Sequence, residues 1–359
     1  MVRIPVTGIG VVAPGAIGVD AFRALLADGR TAIAEVDRFD TGGLTAHTAA
    51  LVRDFRPKDF IAPMRMRRMN ALSRLGVAAA KLAIEDAGGT LDAHTGVAIG
   101  TAFGPVQTSV DYMKEYVEKG AALAPPQLFA ESVANAPGSH IAIEWGLRGF
   151  NVTITQRESS ALAAAMYAAS QIAKGTVAAA LIGGVEEVTE MVFSVLDRIG
   201  ALDDARRNGI VMGEGAAMLV AGAGTRAPYA WLSGFGIARD TTATISDWGT
   251  GHESVVAAMR GAIDDAGIPI EEIDAIYASA NGSPRADALE KAAIEALFGA
   301  RIPPVVETKA LFGEYAAGGA LQLAAAVLAF ESKPLRHVLV SSLSAGGGIV
   351  CAVISRDGA

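Results

Sequence analysis

One cysteine, Cys351, is all the thiol in these 359 residues. A lone thiol closes no internal disulfide and builds no multi-cysteine metal centre. Set in the apolar run Gly348-Ile349-Val350-Cys351-Ala352-Val353-Ile354, it reads as core filler in a chain from a reducing cytoplasm. Histidine is nearly as scarce, with five in all: His47, His94, His140, His252 and His337. Positive charge is in deficit. Thirty Lys and Arg against 38 Asp and Glu leave a formal charge of -8, which excludes the basic face of a nucleic-acid binder. No apolar run is long enough to span a bilayer; the richest, 316–330, is full of Ala and Gly and reads as a buried core helix. The start, Met1-Val2-Arg3-Ile4-Pro5-Val6-Thr7, has no long apolar signal region. No metal, nucleotide or flavin motif appears, and no Lys-Ser/Thr follows the glycines at 346–348 to make a phosphate loop, so neither metal nor cofactor is expected.

What the chain has is apolar mass and repetition. Hydrophobic residues make up 51% of it, enough for one large domain or two fused ones. The segment Ala78-Ala79-Ala80-Lys81-Leu82-Ala83-Ile84-Glu85-Asp86-Ala87-Gly88 returns 179 residues later as Ala257-Ala258-Met259-Arg260-Gly261-Ala262-Ile263-Asp264-Asp265-Ala266-Gly267. Each copy reads as a helix with a glycine C-cap. Each leads at the same offset into an apolar strand, 96–100 and 275–279. Further on, Ala-rich helices at 159–174 and 318–330 precede the strands 179–184 and 337–342. Strands apolar on both faces, alternating with helices, predict an α/β architecture with covered sheets. Two ordered matches predict a duplication, with halves 1–224 and 225–359 meeting at the Gly/Ala/Thr/Pro-rich link 221–228.

Several segments carry a more specific likeness. They are Val6-Thr7-Gly8-Ile9-Gly10-Val11-Val12-Ala13-Pro14-Gly15, Gly146-Leu147-Arg148-Gly149, Gly183-Gly184-Val185-Glu186 and Arg207-Asn208-Gly209-Ile210-Val211-Met212-Gly213-Glu214-Gly215-Ala216-Ala217. With them the chain resembles the thiolase-fold beta-ketoacyl synthase family over nearly its whole length. The resemblance implies a five-layer α-β-α-β-α arrangement with two mixed sheets related by a pseudo-twofold axis. It also implies decarboxylative condensation of an acyl chain with a malonyl unit held on an acyl carrier protein.

That chemistry needs a thiolate at a helix start, where the dipole lowers its pKa, and two imidazoles to assist decarboxylation and hold the enolate oxygen. Carried onto this sequence, the nucleophile position falls on Glu158 in Thr155-Gln156-Arg157-Glu158-Ser159-Ser160-Ala161. The first histidine position falls on Asn281 in Ala280-Asn281-Gly282-Ser283, the second on Glu314 in Phe312-Gly313-Glu314-Tyr315-Ala316. The family's lysine survives as Lys309, and its "G-F-G-G" gate becomes Ser344-Ala345-Gly346-Gly347. None of the five histidines falls on these positions.

Within the family, such a pattern resembles the chain-length factor, the ketosynthase beta subunit of type II polyketide synthases, which is not an enzyme by itself. The resemblance implies a heterodimer with an active ketosynthase alpha subunit, an acyl carrier protein as second partner, and no role for nucleic acid or membrane. It places the strand Phe150-Asn151-Val152-Thr153-Ile154 at the dimer axis. It places Val106, Ser109 and Met113, which share one helix face, along a tunnel that limits chain length. An ordinary core-facing stripe is the competing account of those three. Arg65, Arg67 and Arg68 offer positive charge to an acidic carrier, or form a solvated basic run. Two other functions stay open: a stand-alone condensing or decarboxylating enzyme with rebuilt Glu/Asn/Glu chemistry, and a scaffolding homodimer.

Overall fold

A computed structural model describes residues 3–245 and 247–356. Ten strands build its two main sheets; the short strands Ala34–Glu35, Thr48–Ala50 and Met212–Gly213 form a small third one, and Ala16–Ile17 pairs with the end of the first strand. The first half contributes β1 (Ile4–Ala13), β2 (Gly96–Gly100), β3 (Asn151–Ile154), β4 (Ala179–Glu186) and β5 (Gly215–Gly222). The second contributes β6 (Ala230–Arg239), β7 (Ile273–Tyr277), β8 (Val305–Val306), β9 (His337–Leu343) and β10 (Gly348–Ser355). The spatial order is β3-β2-β4-β5-β1 in one and β8-β7-β9-β10-β6 in the other, the same permutation. Strand directions agree as well: β2 runs parallel to β3 and β4, β7 parallel to β8 and β9, and the remaining pairs are antiparallel. The sheets meet edge to edge where Ile4, Pro5 and Val6 pair with Leu232, Trp231 and Ala230.

Six long helices fill the layers: α1 (Ala71–Asp86), α2 (Val106–Lys119), α3 (Ser160–Ala173), α4 (His252–Ala266), α5 (Pro284–Phe298) and α6 (Ala320–Ser332). Helices α3 and α6 lie between the sheets, packed with Ile9, Val11, Ile182, Leu219, Val338 and Val350 in one apolar cluster. Helix α1 covers the outside of the first sheet, and α4 with α5 the outside of the second. This is the expected five-layer arrangement. Every residue of α6 from Ala320 to Phe330 is buried, which explains its unbroken apolar sequence. Its one polar exception, Gln322, donates to the carbonyls of Tyr277, Ala278 and Ser341 at 2.9–3.0 Å. No helix among the described residues is long and apolar enough to cross a membrane.

The repeated sequence has a mechanical reason. A Cβ on Gly8 or Gly10 would lie 2.3 or 2.0 Å from the carbonyl oxygen of Ala83 or Ala79. In the second half a Cβ on Gly234 or Gly236 would lie 2.3 or 1.9 Å from that of Ala262 or Ala258. Strand and helix therefore touch backbone to backbone, and only Gly facing Ala permits it. The same helices return a carboxylate to the strand: Asp86 accepts from the Ile9 N–H at 2.8 Å, Asp265 from the Phe235 N–H at 2.9 Å.

Two local expectations change. Helix α4 ends on Gly267 in the left-handed region, but the matching cap of α1 is Ala87, with Gly88 at φ +112° just beyond it. Strand β7 lies two residues earlier than its repeat partner predicts. Beyond its end, the N–H groups of Ser279 and Ala280 turn to the buried Glu290 carboxylate at 2.8 and 3.0 Å.

The contact geometry predicts that Gly10→Ala and Gly236→Ala each destabilise the fold by about 3 kcal/mol or more, since neither backbone neighbour can retreat. Gly261→Ala, which meets only the Gly236 Cα at 3.6 Å inside α4, should stabilise by up to about 1 kcal/mol. Urea unfolding of the three variants checks both directions.

Candidate functional site

The strand ends deliver the site. After β3 the chain turns through Arg157, whose φ is +49°, and makes one tight turn over Glu158 and Ser159 before α3 begins. A Cβ on Gly100, at the end of β2, would lie 2.2 Å from the Ala161 nitrogen, so glycine there lets the helix start abut the sheet. Gly184 at the neighbouring strand plays the same part for the segment 316–319, with Ala317 O only 2.0 Å from its notional Cβ. From the other half, the chain beyond β7 carries Asn281. The short helix Lys309–Phe312 after β8 carries Lys309, then Glu314 and Tyr315.

Glu158, Asn281, Lys309 and Glu314 converge, each no more than 2% exposed. Glu314 takes three donors: the Lys309 ammonium at 2.7 Å, the Asn281 amide at 2.8 Å and the Tyr315 N–H at 2.8 Å. Asn281 is fixed in turn by the Ser283 N–H on its carbonyl at 2.9 Å, and the Lys309 ammonium approaches Ser279 Oγ at 3.5 Å. Glu158 accepts from the Tyr315 hydroxyl at 2.9 Å and from the Ala345 N–H at 3.2 Å. The gate-like loop is thereby tied to the elbow, and Ser344 Oγ strengthens the tie with 2.6 Å to Ser159 Oγ and 2.8 Å to Gln156 O. Burial, with the Glu314 charge second, pushes the Glu158 carboxyl up to about 7. The polar groups thus satisfy one another in a closed cluster that holds no thiol and no imidazole. Cys351 lies buried in β10 on the outer side of the second sheet, its thiol pushed up by burial. His337, buried against Ser355, belongs to β9.

Sequence reasoning missed Tyr315 and Glu290. The signal for Tyr315 was a single aromatic beside Glu314 ahead of an Ala/Gly run. Glu290 sits on a helix whose other buried residues are apolar, and its carboxyl is raised to about 7 by burial. Among the described residues no group of three or more His, Cys, Asp or Glu is gathered for a metal ion.

The other candidates fall outside this cluster. β3 is an edge strand, bonded only to β2 among the described residues; Phe150, just before it, packs edge-on to Tyr167 at 5.4 Å. Val106, Ser109 and Met113 all lie on α2, where only Thr108 is buried and Met113 is 52% exposed. Val106 packs against the apolar cluster of Val192 and Phe193, so the three share a face that runs from core contact to surface. Val117, Phe129 and Ile143 are exposed in the same part of the chain. Arg65, Arg67 and Arg68 are exposed, and Arg65 pairs with Glu144 at 2.6 Å.

The beta-ketoacyl synthase N-terminal domain matches residues 1–222 and its C-terminal domain residues 229–340. The chain belongs to the beta-ketoacyl synthase family. Among curated members it is 29% identical to 3-oxoacyl-(acyl-carrier-protein) synthase 2 of Vibrio cholerae, over 83% of this chain and 77% of that one. It is also 29% identical to the tetracenomycin polyketide synthase ketoacyl synthase beta subunit of Streptomyces glaucescens, over 91% and 85%. The ishigamide ketosynthase/chain length factor superposes with a TM-score of 0.90 at 28% identity, covering 99% of both chains.

For this ketosynthase family member the buried ion pair is the sensitive point. Lys309→Met should cost about 3–5 kcal/mol, because it strands the Glu314 carboxylate. A pH test isolates Glu158. Its folded-state pKa lies above the ordinary 4.5, so the folded chain holds its proton more tightly than the unfolded chain. Stability from that proton is full below about pH 4.5 and is lost as pH rises toward about 7. Glu158→Gln should therefore flatten the fall of Tm with rising pH across this window; an unchanged slope would mean the carboxyl does not titrate there.

Proposed function

We propose that the chain is a chain-length factor: a subunit without condensation chemistry of its own that pairs with an active ketosynthase and shapes the path of the growing polyketide. The observation that carries this reading is the composition of the site. Glu158, Asn281 and Glu314 stand where the family resemblance expects a thiolate and two imidazoles, and they are locked to Lys309 and Tyr315 in a closed network. A carboxyl at the helix start forms no thioester, and an asparagine amide can donate a hydrogen bond but transfers no proton at neutral pH.

Two further features support it. The edge of β3 and the exposed apolar side chains of Met113, Val117, Phe129 and Ile143 give a partner both unpaired backbone and apolar surface. The likeness to a beta subunit and to a ketosynthase/chain length factor at 28–29% identity supports the same role. On this reading Phe150 to Ile154 lie at the dimer axis, Val106, Ser109 and Met113 border the chain, and Arg65, Arg67 and Arg68 meet the acidic acyl carrier protein. The domain boundary expected between 224 and 225 stays part of the proposal.

A rebuilt enzyme is the second reading, favoured by one observation: the Glu158 carboxyl, raised to about 7, titrates where a general acid would. Expression decides between them. Produced with a ketosynthase that carries the full cysteine and histidine set, the chain should co-purify in equal proportion and the pair should extend malonyl units. Alone it should release no carbon dioxide from malonyl-loaded carrier; release by the chain alone, abolished by Glu158→Gln, would establish the enzyme reading instead. Arg67→Glu should weaken the pair's affinity for the carrier about tenfold, with the wild-type affinity falling as salt rises.

A further inference from the structure

Tyr315 is held where a side chain costs most. Its φ of +66° lies in the left-handed region, and four non-glycine residues share that sign among the described residues: Arg157, Arg206, Tyr315 and Ala317. Three of them surround the Glu158 cluster, and each costs about 1 kcal/mol or more unless its surroundings enforce it. What enforces Tyr315 is visible. The hydroxyl donates to Glu158 at 2.9 Å, the ring stands edge-on to Phe103 with centroids 4.7 Å apart, and the residue is 5% exposed. The ring belongs to an apolar cluster with Leu51, Val192, Phe193 and Met212, against which Phe103 and Val106 also pack. One side chain therefore separates the polar cluster at Glu158 from the apolar interior beneath α2. Phe103, its neighbour, precedes by three residues the Val106 that opens the proposed tunnel face.

We infer that Tyr315 is a specificity-determining plug, its ring backing the tunnel floor at Val106 through Phe103 and its hydroxyl anchored on Glu158. This rests on the chain-length-factor reading and names a residue that sets the limit. It also gives Glu158 a use: a buried phenol needs an acceptor, and a carboxyl at the old nucleophile position supplies one. The stop is built from behind. Val106, Ser109 and Met113 are small or flexible, so they set the limit only if something rigid backs them.

The heterodimer, supplied with acyl carrier protein and malonyl donor, tests this by mass spectrometry of product lengths. Tyr315→Gly removes the ring and relieves the left-handed strain, so it should shift products toward longer chains. Tyr315→Phe keeps the ring but loses the anchor on Glu158, so it should shift lengths less than Tyr315→Gly does. Indole is an independent probe: it should raise the Tm of Tyr315→Gly by filling the opened apolar cavity and leave wild type unmoved. Indole stabilisation with unchanged product lengths would make Tyr315 a structural residue only and overturn the inference, as would absence of any indole effect. Should Tyr315→Gly fail to assemble, Tyr315→Leu, which withdraws the ring but keeps an apolar side chain, decides by the same product shift. A wild-type pair that extends nothing would sink the chain-length-factor reading, and the inference with it.

Discussion

The close approach of helix to strand through glycine is the contact on which the rest of this molecule depends. On the outer faces Gly8, Gly10, Gly234 and Gly236 let α1 and α4 lie on the sheets at backbone distance. On the inner faces Gly100 and Gly184 do the same for the start of α3 and for the segment that carries Ala317. Without the inner pair the helix N-terminus would stand off from the strand ends, and Glu158 could not reach Tyr315. The site's geometry is thus set by the absence of Cβ atoms some distance from its polar groups. The layered core supplies the energy; at about 1.5–3 kcal/mol for each fully buried large apolar side chain, the cluster between the sheets easily carries a few strained residues at its edge.

The duplication was legible because the glycine contact writes itself into sequence. Ala79, Ala83 and Ala87 recur as Ala258, Ala262 and Ala266, the spacing of one helix face, because a larger residue at any of them would push the helix off its strand. The four principal site positions were legible only through the family resemblance: Asn281 and Glu314 each adjoin a glycine that marks the motif, whereas Glu158 and Lys309 were placed by their distance from such motifs. The two-residue strand β8 was not: Val305 and Val306 show no alternation over so short a run, and they become a strand only by pairing with Ile276 and Tyr277. Tyr315 was illegible for a different reason. Its role depends on a left-handed φ and on a partner 157 residues away, neither of which any local pattern encodes.

The buried carboxyls follow one electrostatic logic. Glu290 ties the end of β7 to β9 by accepting from Ser279, Ala280 and Ser341, while Glu186 gathers Thr101, Ala102 and Phe103 at the end of β2. Burial raises Glu290 to about 7 and Glu186 to about 8, because the donors around them do not repay the loss of water. These groups sit at the turns where chain leaves the sheet and would otherwise expose unpaired N–H groups to an apolar interior. They act as staples for backbone, and their charge is secondary to the hydrogen bonds they accept.

Glu158 belongs to the same class in one respect and departs from it in another. Like the staples it is buried and takes a loop N–H, here that of Ala345, but its second acceptor serves a side chain from the opposite half of the duplication. With the Ser159–Ser344 hydroxyl pair beside it, it is one of the points at which the two halves are joined through polar atoms rather than apolar packing. A thiol could accept only a weak hydrogen bond from that phenol, so a carboxyl suits the closed arrangement better than the cysteine a condensing subunit needs. On the chain-length-factor reading, the loss of nucleophile and the gain of an interlock are one substitution seen from two sides: the carboxyl that stands at the nucleophile position also accepts from the Tyr315 hydroxyl.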